Sequence, residues 1–352
     1  MGKLAVYKYF SMMMLAAQTV ITAFTFIGLF GGKVTPAGNT ASAMLVYALP
    51  LLIIANILTL FYWLIRRCWY LAAIPVVTVL CCIPYIGTVF QFRSLPTDSG
   101  ARQGIKIATY NVARFGKETS GFMAKDILSE MKKQKVDVFC IQEYSEMSGD
   151  KKNSVSYKEY FPYMAKGNDD MVIFSRRPIL ASKNIPFEYS NSSAMWADID
   201  FRGKRLKVFN VHLETTGFNR TLHQVAKIQA NGHQVETNRL LRAIYGNYTL
   251  GMVVRAGQAV TVANERNNAH IPSIVCGDFN DIPYSYVYNV MLGDMVDGFK
   301  ECGSGWMYTY RGAKSFRIDY IFHDKALKGI TYYTSKLTYS DHFPVIMKLA
   351  VN

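Results

Sequence analysis

The chain has 352 residues, of which 50% are hydrophobic and 18% are charged, and this composition excludes an intrinsically disordered protein. Its formal net charge of +14 suits an acidic partner, such as a phosphate-bearing substrate or an anionic membrane surface. None of the six cysteines has C-x-x-C spacing or clusters with histidine, so the sequence predicts neither a disulfide framework nor a zinc site.

The first third of the chain is apolar and contains no acidic residue before Asp98. Three uncharged runs, residues 10–30, 44–65 and 69–90, are each long enough to cross ~30 Å of hydrocarbon as a helix. The first run is too long for the apolar part of a signal peptide, and no clear A-x-A cleavage site follows it. We therefore predict a transmembrane module of three helices over residues 1–93.

The distribution of basic residues predicts how this module is oriented. Two lysines precede the first run and Arg66–Arg67 follows the second, and the positive-inside rule places both groups in the cytoplasm. An odd number of spans then places the rest of the chain outside the cytoplasm, although Arg93 and the basic residues just after it weakly favour the opposite side. Residues 94–104 (SLPTDSGARQG) are typical of a linker, and residues 105–352 form the predicted catalytic domain.

From residue 105 onward, short apolar strands alternate with helical patterns, and most of the strands end on or carry a polar residue. The predicted strands are 105–110, 136–141, 170–174, 206–211, 274–276, 317–322 and 343–349, with a helix over 122–133. Because neighbouring strands of a sheet lie ~4.8 Å apart, polar residues at their ends converge. The candidate site residues are Asn111, Glu143, His212, Asp278, Asn280, Asp319, Asp341 and His342.

Each candidate taken alone is typical of a turn, a helix N-cap or a structural histidine. Taken together, they offer carboxylates for a hard cation, amides for phosphoryl oxygens and two histidines for proton transfer or charge stabilisation. Hydrolysis of an anionic phosphodiester requires a site that neutralises charge and positions a water molecule. The set therefore predicts a metal-assisted phosphoester hydrolase.

Six motifs carry a family resemblance: TYNV, IQE, NVHLE, CGDFNDIP, IDYIF and SDHFPV, in this order. From Gly104 to the C-terminus, the chain resembles the endonuclease/exonuclease/phosphatase superfamily, which includes deoxyribonucleases, inositol-polyphosphate phosphatases and neutral sphingomyelinases. The resemblance implies an α+β fold, a four-layer α/β/β/α sandwich of two mixed β-sheets. The apolar N-terminal module is a departure from the soluble members.

The resemblance also implies a role for each candidate residue. Glu143 is expected to be the principal metal ligand, with Asn111 and Asp341 close by, and the expected ion is Mg²⁺ or Mn²⁺. Asp278 is expected to orient or deprotonate the attacking water, and Asn280 to hold the phosphate and that water. His342, oriented by Asp319, and His212 are expected to face the phosphate. The sequence leaves open whether one or two ions bind.

Three functions are compatible with these motifs. The first is a nuclease-like phosphodiesterase, the second is a lipid head-group phosphoesterase, and the third is a catalytically inactive membrane scaffold. The intact set of candidate residues disfavours the scaffold. The expected partners are the membrane and a phosphate-ester substrate, either nucleic acid or a phospholipid head group, and no obligate protein partner is evident. Residues 217–268 form an insertion where substrate choice would be set, but they do not reveal the substrate.

Overall fold

The computed structural model describes residues 3–94, 104–114, 122–144, 157–168, 170–188, 190, 192–215, 237–311 and 315–351. The chain divides into two compact units, Met1–Thr88 with Tyr284–Asn289, and Val89–Pro283 with Val290–Asn352. The interior of the predicted linker, residues 95–103, and the first part of the predicted insertion, residues 217–236, lie outside the described residues.

The first unit contains the apolar helices α1 (Lys3–Gly31), α2 (Thr40–Ile65), α3 (Trp69–Cys81) and most of α4 (Ile83–Val89). Two stretches, Val6–Gly31 and Thr40–Ile65, are long and apolar enough to cross a membrane. They coincide with the first two predicted spans, and each begins four residues earlier than predicted. The chain therefore carries helices suited to a membrane anchor.

The third predicted span, residues 69–90, is not one continuous helix. In its place lie α3 and α4, which are bent by 44° at a short break. Pro84 lies in the first turn of α4, where proline is tolerated, whereas in a continuous helix its ring would clash with the carbonyl of Leu80 and it has no backbone N–H to bond that carbonyl. The described residues thus contain two long apolar helices, or three spans if the bent pair crosses as one.

Polar side chains lie buried between α1 and α2. Asn56 of α2 donates from Nδ2 to the Thr25 hydroxyl at 2.9 Å, and Gln18 of α1 donates from Nε2 to Asn56 Oδ1 at 3.2 Å. All three side chains are buried. Hydrogen bonds of this kind hold apolar helices together where burial of apolar surface gives little preference for association.

The second unit is built on two six-stranded sheets. The first sheet contains, in spatial order, β10 (Val296–Asp297), β12 (Asp319–His323), β9 (Ser273–Asp278), β8 (Lys204–His212), β7 (Ser193–Phe201) and β6 (Ile179–Pro186). The second contains β13 (Leu327–Thr334), β14 (Val345–Val351), β2 (Gly104–Asn111), β3 (Val138–Gln142), β5 (Val172–Ser175) and β4 (Tyr163–Lys166). A short antiparallel pair joins β1 (Phe90–Gln91) to β11 (Gly305–Trp306).

Both sheets are mixed, as predicted. The pairs β2–β3 and β8–β9 are parallel, and the other pairs are antiparallel. Alternate side chains of the two sheets meet in one buried cluster, to which Cys140 and Val345 contribute from one sheet and Val208 and Cys276 from the other. Because this cluster is apolar on both sides, the sheets pack face to face.

Helices cover the outer faces of the sandwich. Helix α5 (Phe122–Lys133), which has the predicted bounds, packs Ile127 and Met131 against the outer side chains of the second sheet. Helix α6 (Thr237–Asn267) reaches the first sheet, where Glu265 accepts a hydrogen bond from the Trp196 indole at 3.0 Å. The remaining helical elements are a 3₁₀ turn (Tyr157–Glu159), α7 (Tyr286–Leu292) and α8 (Gly298–Cys302). The four-layer α+β sandwich is confirmed.

Candidate active site

The candidate residues collect where strands of the two sheets end. In the first sheet Asp278, the last residue of β9, pairs in register with His212 of β8 on one side and Asp319 of β12 on the other. In the second sheet Asn111 ends β2 beside Gln142, which Glu143 follows. The Asn111 amide donates to Asp278 Oδ2 at 3.1 Å and thereby joins the two sheets.

Asp278 lies at the centre of this edge and is buried. Its Oδ1 accepts the backbone amide of Asn280 at 2.9 Å, and its Oδ2 lies 3.6 Å from His342 Nε2. The preceding Gly277 has φ of 140°, and a Cβ at this position would lie 1.9 Å from the Val211 carbonyl oxygen. The glycine of the GDFND motif therefore allows β9 to approach β8 closely enough to place Asp278.

His342 is held on both sides of its ring. Its Nδ1 lies 2.9 Å from Asp319 Oδ2, and its backbone amide donates to the Ser340 hydroxyl at 3.1 Å. The Tyr310 ring lies against the imidazole, with centroids 5.1 Å apart. Asp319 is itself fixed, because its backbone amide donates to the Thr309 hydroxyl at 3.0 Å. The imidazole thus has a fixed orientation, with Nε2 directed toward Asp278.

The buried charges of this group shift one another's pKa values. Burial raises the pKa of Asp278, and Asp319 raises it further, while His342 opposes both. Burial alone would lower the pKa of His342, but Asp319 and Asp278 outweigh it and raise that pKa to about 10. The direction of this shift favours the protonated imidazole, whose Nδ1 lies against Asp319 and whose Nε2 faces Asp278. Perturbed groups of this kind concentrate at functional sites.

Asn111 and Glu143 form the other half of the edge. Asn111 Nδ2 donates to Glu143 Oε1 at 3.1 Å, and His212 Nε2 lies 3.9 Å from the same oxygen. Glu143 has φ of 52°, a left-handed conformation that few non-glycine residues adopt and that is common at functional sites. The His212 Nδ1 atom is buried and has no hydrogen-bond partner among the described residues.

Asn280 and Asp341 lie at the margin of this edge. Asn280 also has a left-handed φ, 53°, and its side-chain amide donates to the Leu213 carbonyl at 2.9 Å. Asp341 is exposed, and the Ser340 hydroxyl lies 3.3 Å from its Oδ1 while bonding the Asn111 carbonyl at 2.7 Å. The structure thus brings six of the predicted residues into direct polar contact or close approach and places Asn280 and Asp341 beside them.

The donor set near Glu143 fits a hard dication. Oxygen ligands suit Mg²⁺, which keeps several waters, and the Glu143 side chain is 34% exposed and so accessible to water. Asn111 turns its nitrogen toward the carboxylates and its oxygen toward the Ala113 amide at 3.0 Å, so a ligand role requires a half-turn of the amide. The ligand atoms of Asp278, Asp319 and His342 also lie within 4.8 Å of one another and form a second group that could hold a metal ion.

A buried polar network beneath the edge was not predicted from the sequence. The Asn210 side chain, inside β8, donates to the carbonyls of Ile141 and Val172 at 2.9 and 3.0 Å and accepts from Gln142. Gln142 also donates to the Thr109 hydroxyl at 3.0 Å. The signal was present in the strand LKVFNV, since a polar residue inside a buried strand requires partners. The network ties the two sheets together at Gln142, the residue before Glu143.

A sequence model described as the Endonuclease/Exonuclease/phosphatase family matches residues 108–342, about two thirds of the chain. The chain belongs to this family. Its members are phosphoesterases, commonly with a divalent metal. A model described as a domain of unknown function (DUF8431) matches residues 10–89, the apolar helices. No curated protein matches the chain significantly.

Solved structures of the endonuclease/exonuclease/phosphatase family share this fold. TDP2 from D. rerio, humanized by 14 mutations, is 20% identical with a TM-score of 0.50, covering 70% of this chain and 98% of its own. The human Nocturnin catalytic domain with bound sulfate is 18% identical with a TM-score of 0.50, covering 71% and 96%. A family member from Bacteroides vulgatus is 15% identical with a TM-score of 0.50, covering 71% and 100%. Sequence identities this low show that the fold is shared but do not indicate the substrate of this chain.

Proposed function

We propose that the chain is a membrane-anchored, divalent-metal-dependent phosphodiesterase that directs a water molecule onto phosphorus. The observation that carries the proposal is the position of Asn111, which contacts Glu143 and Asp278 at 3.1 Å each. A carboxylate suited to a cation and a carboxylate suited to a water molecule therefore lie on either side of one amide. Attack on a phosphodiester requires charge neutralisation and water positioning in one place, and this edge offers both.

Asp278 and His342 are assigned different roles, one toward the attacking water and the other toward the phosphoryl oxygens. Asp278 Oδ2, beside the Asn111 amide, would accept a hydrogen bond from the attacking water and orient it. The His342 imidazolium would place a positive charge beside the phosphoryl oxygens, where negative charge develops in the transition state. Asp319 is a positioning residue, since its Oδ2 holds Nδ1 of the ring at 2.9 Å. His212 and Asn280 would contact the phosphate from the opposite side.

Glu143 and Asp341 would hold the cation, joined by Asn111 after the half-turn of its amide. Mg²⁺ or Mn²⁺ supplies, when bound, a positive charge that offsets the charge of the phosphate. The buried Asn210 network at Gln142, the residue before Glu143, would keep the Glu143 carboxylate at a fixed distance from Asp278. The arrangement accommodates one ion, and a second would need ligands beyond those assigned here.

The anchor is proposed to be multi-pass, with the bent pair of α3 and α4 crossing as the third span. Arg66 and Arg67 follow α2 directly and belong in the cytoplasm by the positive-inside rule. An odd number of spans then places the catalytic unit outside the cytoplasm. A tether of this kind raises the effective concentration of the enzyme toward substrates at the membrane.

The proposal is tested by hydrolysis of bis(4-nitrophenyl) phosphate by the detergent-solubilised full-length chain. Activity should require Mg²⁺ or Mn²⁺, disappear with EDTA and return when metal is added back. Glu143→Gln should lose the metal-dependent rate. Glu265→Gln is the matched control, because Glu265 has a similar exposure of 27% but is bound to Lys183 and Trp196. Full activity in excess chelator, or equal loss in both variants, would contradict the proposal.

The substrate is then identified with a panel of DNA, RNA, sphingomyelin and phosphatidylinositol phosphates. A structure of D. rerio TDP2 contains a single-strand DNA product, which is the reason to include DNA. Similarity of fold at 19% identity does not transfer that substrate to this chain. The nuclease-like and lipid-directed alternatives differ in whether the substrate has an apolar part, and the surface beside His342 bears on that question.

A further inference from the structure

A row of aromatic side chains leads away from the candidate site on the surface of the catalytic unit. It comprises Phe90, Phe92, Trp306, Tyr308 and Tyr310 and is called here the aromatic row. Phe90 pairs in register with Trp306 in the short β1–β11 ladder, and the rings of Phe90 and Phe92 lie 4.7 Å apart. Phe92 is 91% exposed and Trp306 is 59% exposed. These rings are therefore not part of the hydrophobic core.

The backbone determines which side chains face outward. From Trp306 to Tyr310 every second residue is less buried: Trp306 and Tyr308 are exposed, whereas Met307 packs against the core and Thr309 is buried. This alternation is that of an extended chain, which rises about 3.3 Å per residue and so carries the row up to about 13 Å. The same inward turn of Thr309 places its hydroxyl against the Asp319 amide.

The row ends at His342. The Tyr310 ring lies 5.1 Å from the His342 ring, and Tyr308 packs against Phe343, the next residue in the chain, at 5.8 Å. The Phe343 amide donates to the Thr309 carbonyl at 2.7 Å, which fixes the two segments together. A molecule with its phosphate at His342 would therefore place the adjoining group against Tyr310 and Tyr308.

Two arginines that adjoin the row in the chain, Arg93 after Phe92 and Arg311 after Tyr310, are bound to backbone carbonyls. Arg93 donates to the carbonyls of Lys300 and Glu301, and Arg311 donates to those of Thr338 and Ser340. Surfaces that bind single-stranded nucleic acid combine stacking rings with cations that follow the phosphates. Here the guanidinium groups of Arg93 and Arg311 bind backbone carbonyls, and the row itself consists of aromatic rings. This combination favours an apolar ligand over a nucleic acid.

We propose that the aromatic row binds the apolar part of an amphiphilic phosphoester whose phosphate lies at His342. The inference rests on the proposed function and names its substrate class. Single exposed apolar residues are common, but a row of aromatic residues that ends at His342, the group proposed to face the phosphate, matches a molecule with one apolar and one anionic end. Trp306 and Tyr308 are thereby specificity-determining residues.

The test uses a series of alkyl 4-nitrophenyl phosphodiesters, from methyl to hexyl, supplied as monomers to the full-length protein. A methylene that buries about half its surface raises kcat/KM about twofold, so the hexyl ester should exceed the methyl ester by about 30-fold. The Trp306→Ala/Tyr308→Ala variant should reduce this ratio below about fivefold. Tyr163→Ala is the control, because Tyr163 is 40% exposed, like Tyr308 at 39%, and lies at the far end of β4 from the site. It should retain the wild-type ratio.

A wild-type ratio near one, or an unchanged ratio in the double variant, would overturn the inference while leaving phosphoester hydrolysis intact. Failure to hydrolyse even the methyl ester would instead contradict the proposed function. If single-stranded DNA competes with the hexyl ester in the wild type but not in the double variant, the row stacks nucleobases and the inference is wrong. Phospholipid in phosphatidylcholine–phosphatidylglycerol vesicles forms a further arm. Hydrolysis of the phospholipid in vesicles would identify the substrate as a bilayer lipid. Hydrolysis of the monomeric esters alone would identify it as a free amphiphile.

Discussion

The pairing of Asp319 with His342 makes a quantitative prediction about turnover. His342→Ala removes a positive charge whose Nε2 lies 3.6 Å from Asp278 Oδ2, and should lower kcat about 100-fold or more. Asp319→Asn keeps the shape but removes the charge 2.9 Å from Nδ1, and should lower kcat about 10- to 100-fold. Because Asp319 acts only through the ring, the double variant should be little worse than His342→Ala alone.

The assay is steady-state hydrolysis of bis(4-nitrophenyl) phosphate in saturating Mg²⁺, with thermal melts of each variant alongside. Asp198→Asn is the control for loss of a buried carboxylate, because Asp198 on β7 is also buried but is bound to Arg205 and Lys207 of β8. It should leave turnover unchanged. If the losses of Asp319→Asn and His342→Ala instead multiplied to about 1,000-fold or more in the double variant, the two residues would act independently and the pairing would be refuted.

Three further predictions concern the framework and the anchor. Asn210→Leu leaves Gln142 and two buried carbonyls short of a partner, so it should lower the free energy of unfolding by about 2–4 kcal/mol, measured by denaturant titration. The Glu301 carboxylate lies 2.8 Å from His323 Nε2, and although burial raises the pKa of Glu301, this contact outweighs burial and lowers it. The ionised form is thus favoured in the folded state, so Glu301→Gln should lower Tm by roughly 5 °C at neutral pH. The difference in Tm between the variant and the wild type should shrink as the pH falls through the lowered pKa of Glu301. A difference in Tm that does not depend on pH would contradict this. A reporter fused to the C-terminus should be extracytoplasmic, and a cytoplasmic reporter would mean that the bent pair does not cross.

The fold could be predicted wherever local pattern and tertiary environment agree. Strand β2 and helix α5 were found within a residue or two of their observed bounds, because buried apolar residues recur at the period of each element. Strands β6 and β13 were not predicted. They lie at sheet edges, and β6 (ILASKNIP) is mostly exposed, so neither shows a clean alternation of apolar and polar residues. Their conformation depends on pairing with β7 and β14, which is tertiary information.

The membrane module shows a feature that composition does not predict, namely where an apolar helix is interrupted. Residues 69–90 are as apolar as the first two spans, but hydropathy does not register where a helix breaks. Pro75 lies within α3 without ending it, whereas the bend occurs next to Pro84. Both prolines look alike in the sequence, and which one interrupts the helix depends on how the neighbouring turns pack.

The sequence named the residues of the candidate site but not their geometry. Family motifs named Asp278, Asp319 and His342, but no motif records that Asn111 turns its nitrogen toward Glu143. The supporting residues were missed for different reasons. Asn210 is recognisable as a polar residue within a buried strand, but its partners cannot be read from the sequence. Thr309 and Tyr310 lie in a stretch without periodicity, and only the fold brings them to Asp319 and His342.

Turnover of Asp278→Asn tests most directly the claim that this edge hydrolyses phosphoesters by positioning water. Asp278 is the residue at which both sheets, the amide of Asn111 and the imidazole of His342 meet. In full-length protein with saturating Mg²⁺, the variant should fall about 100-fold or more below the wild type while its Tm is retained. A wild-type rate in Asp278→Asn, with the same metal dependence, would contradict the account.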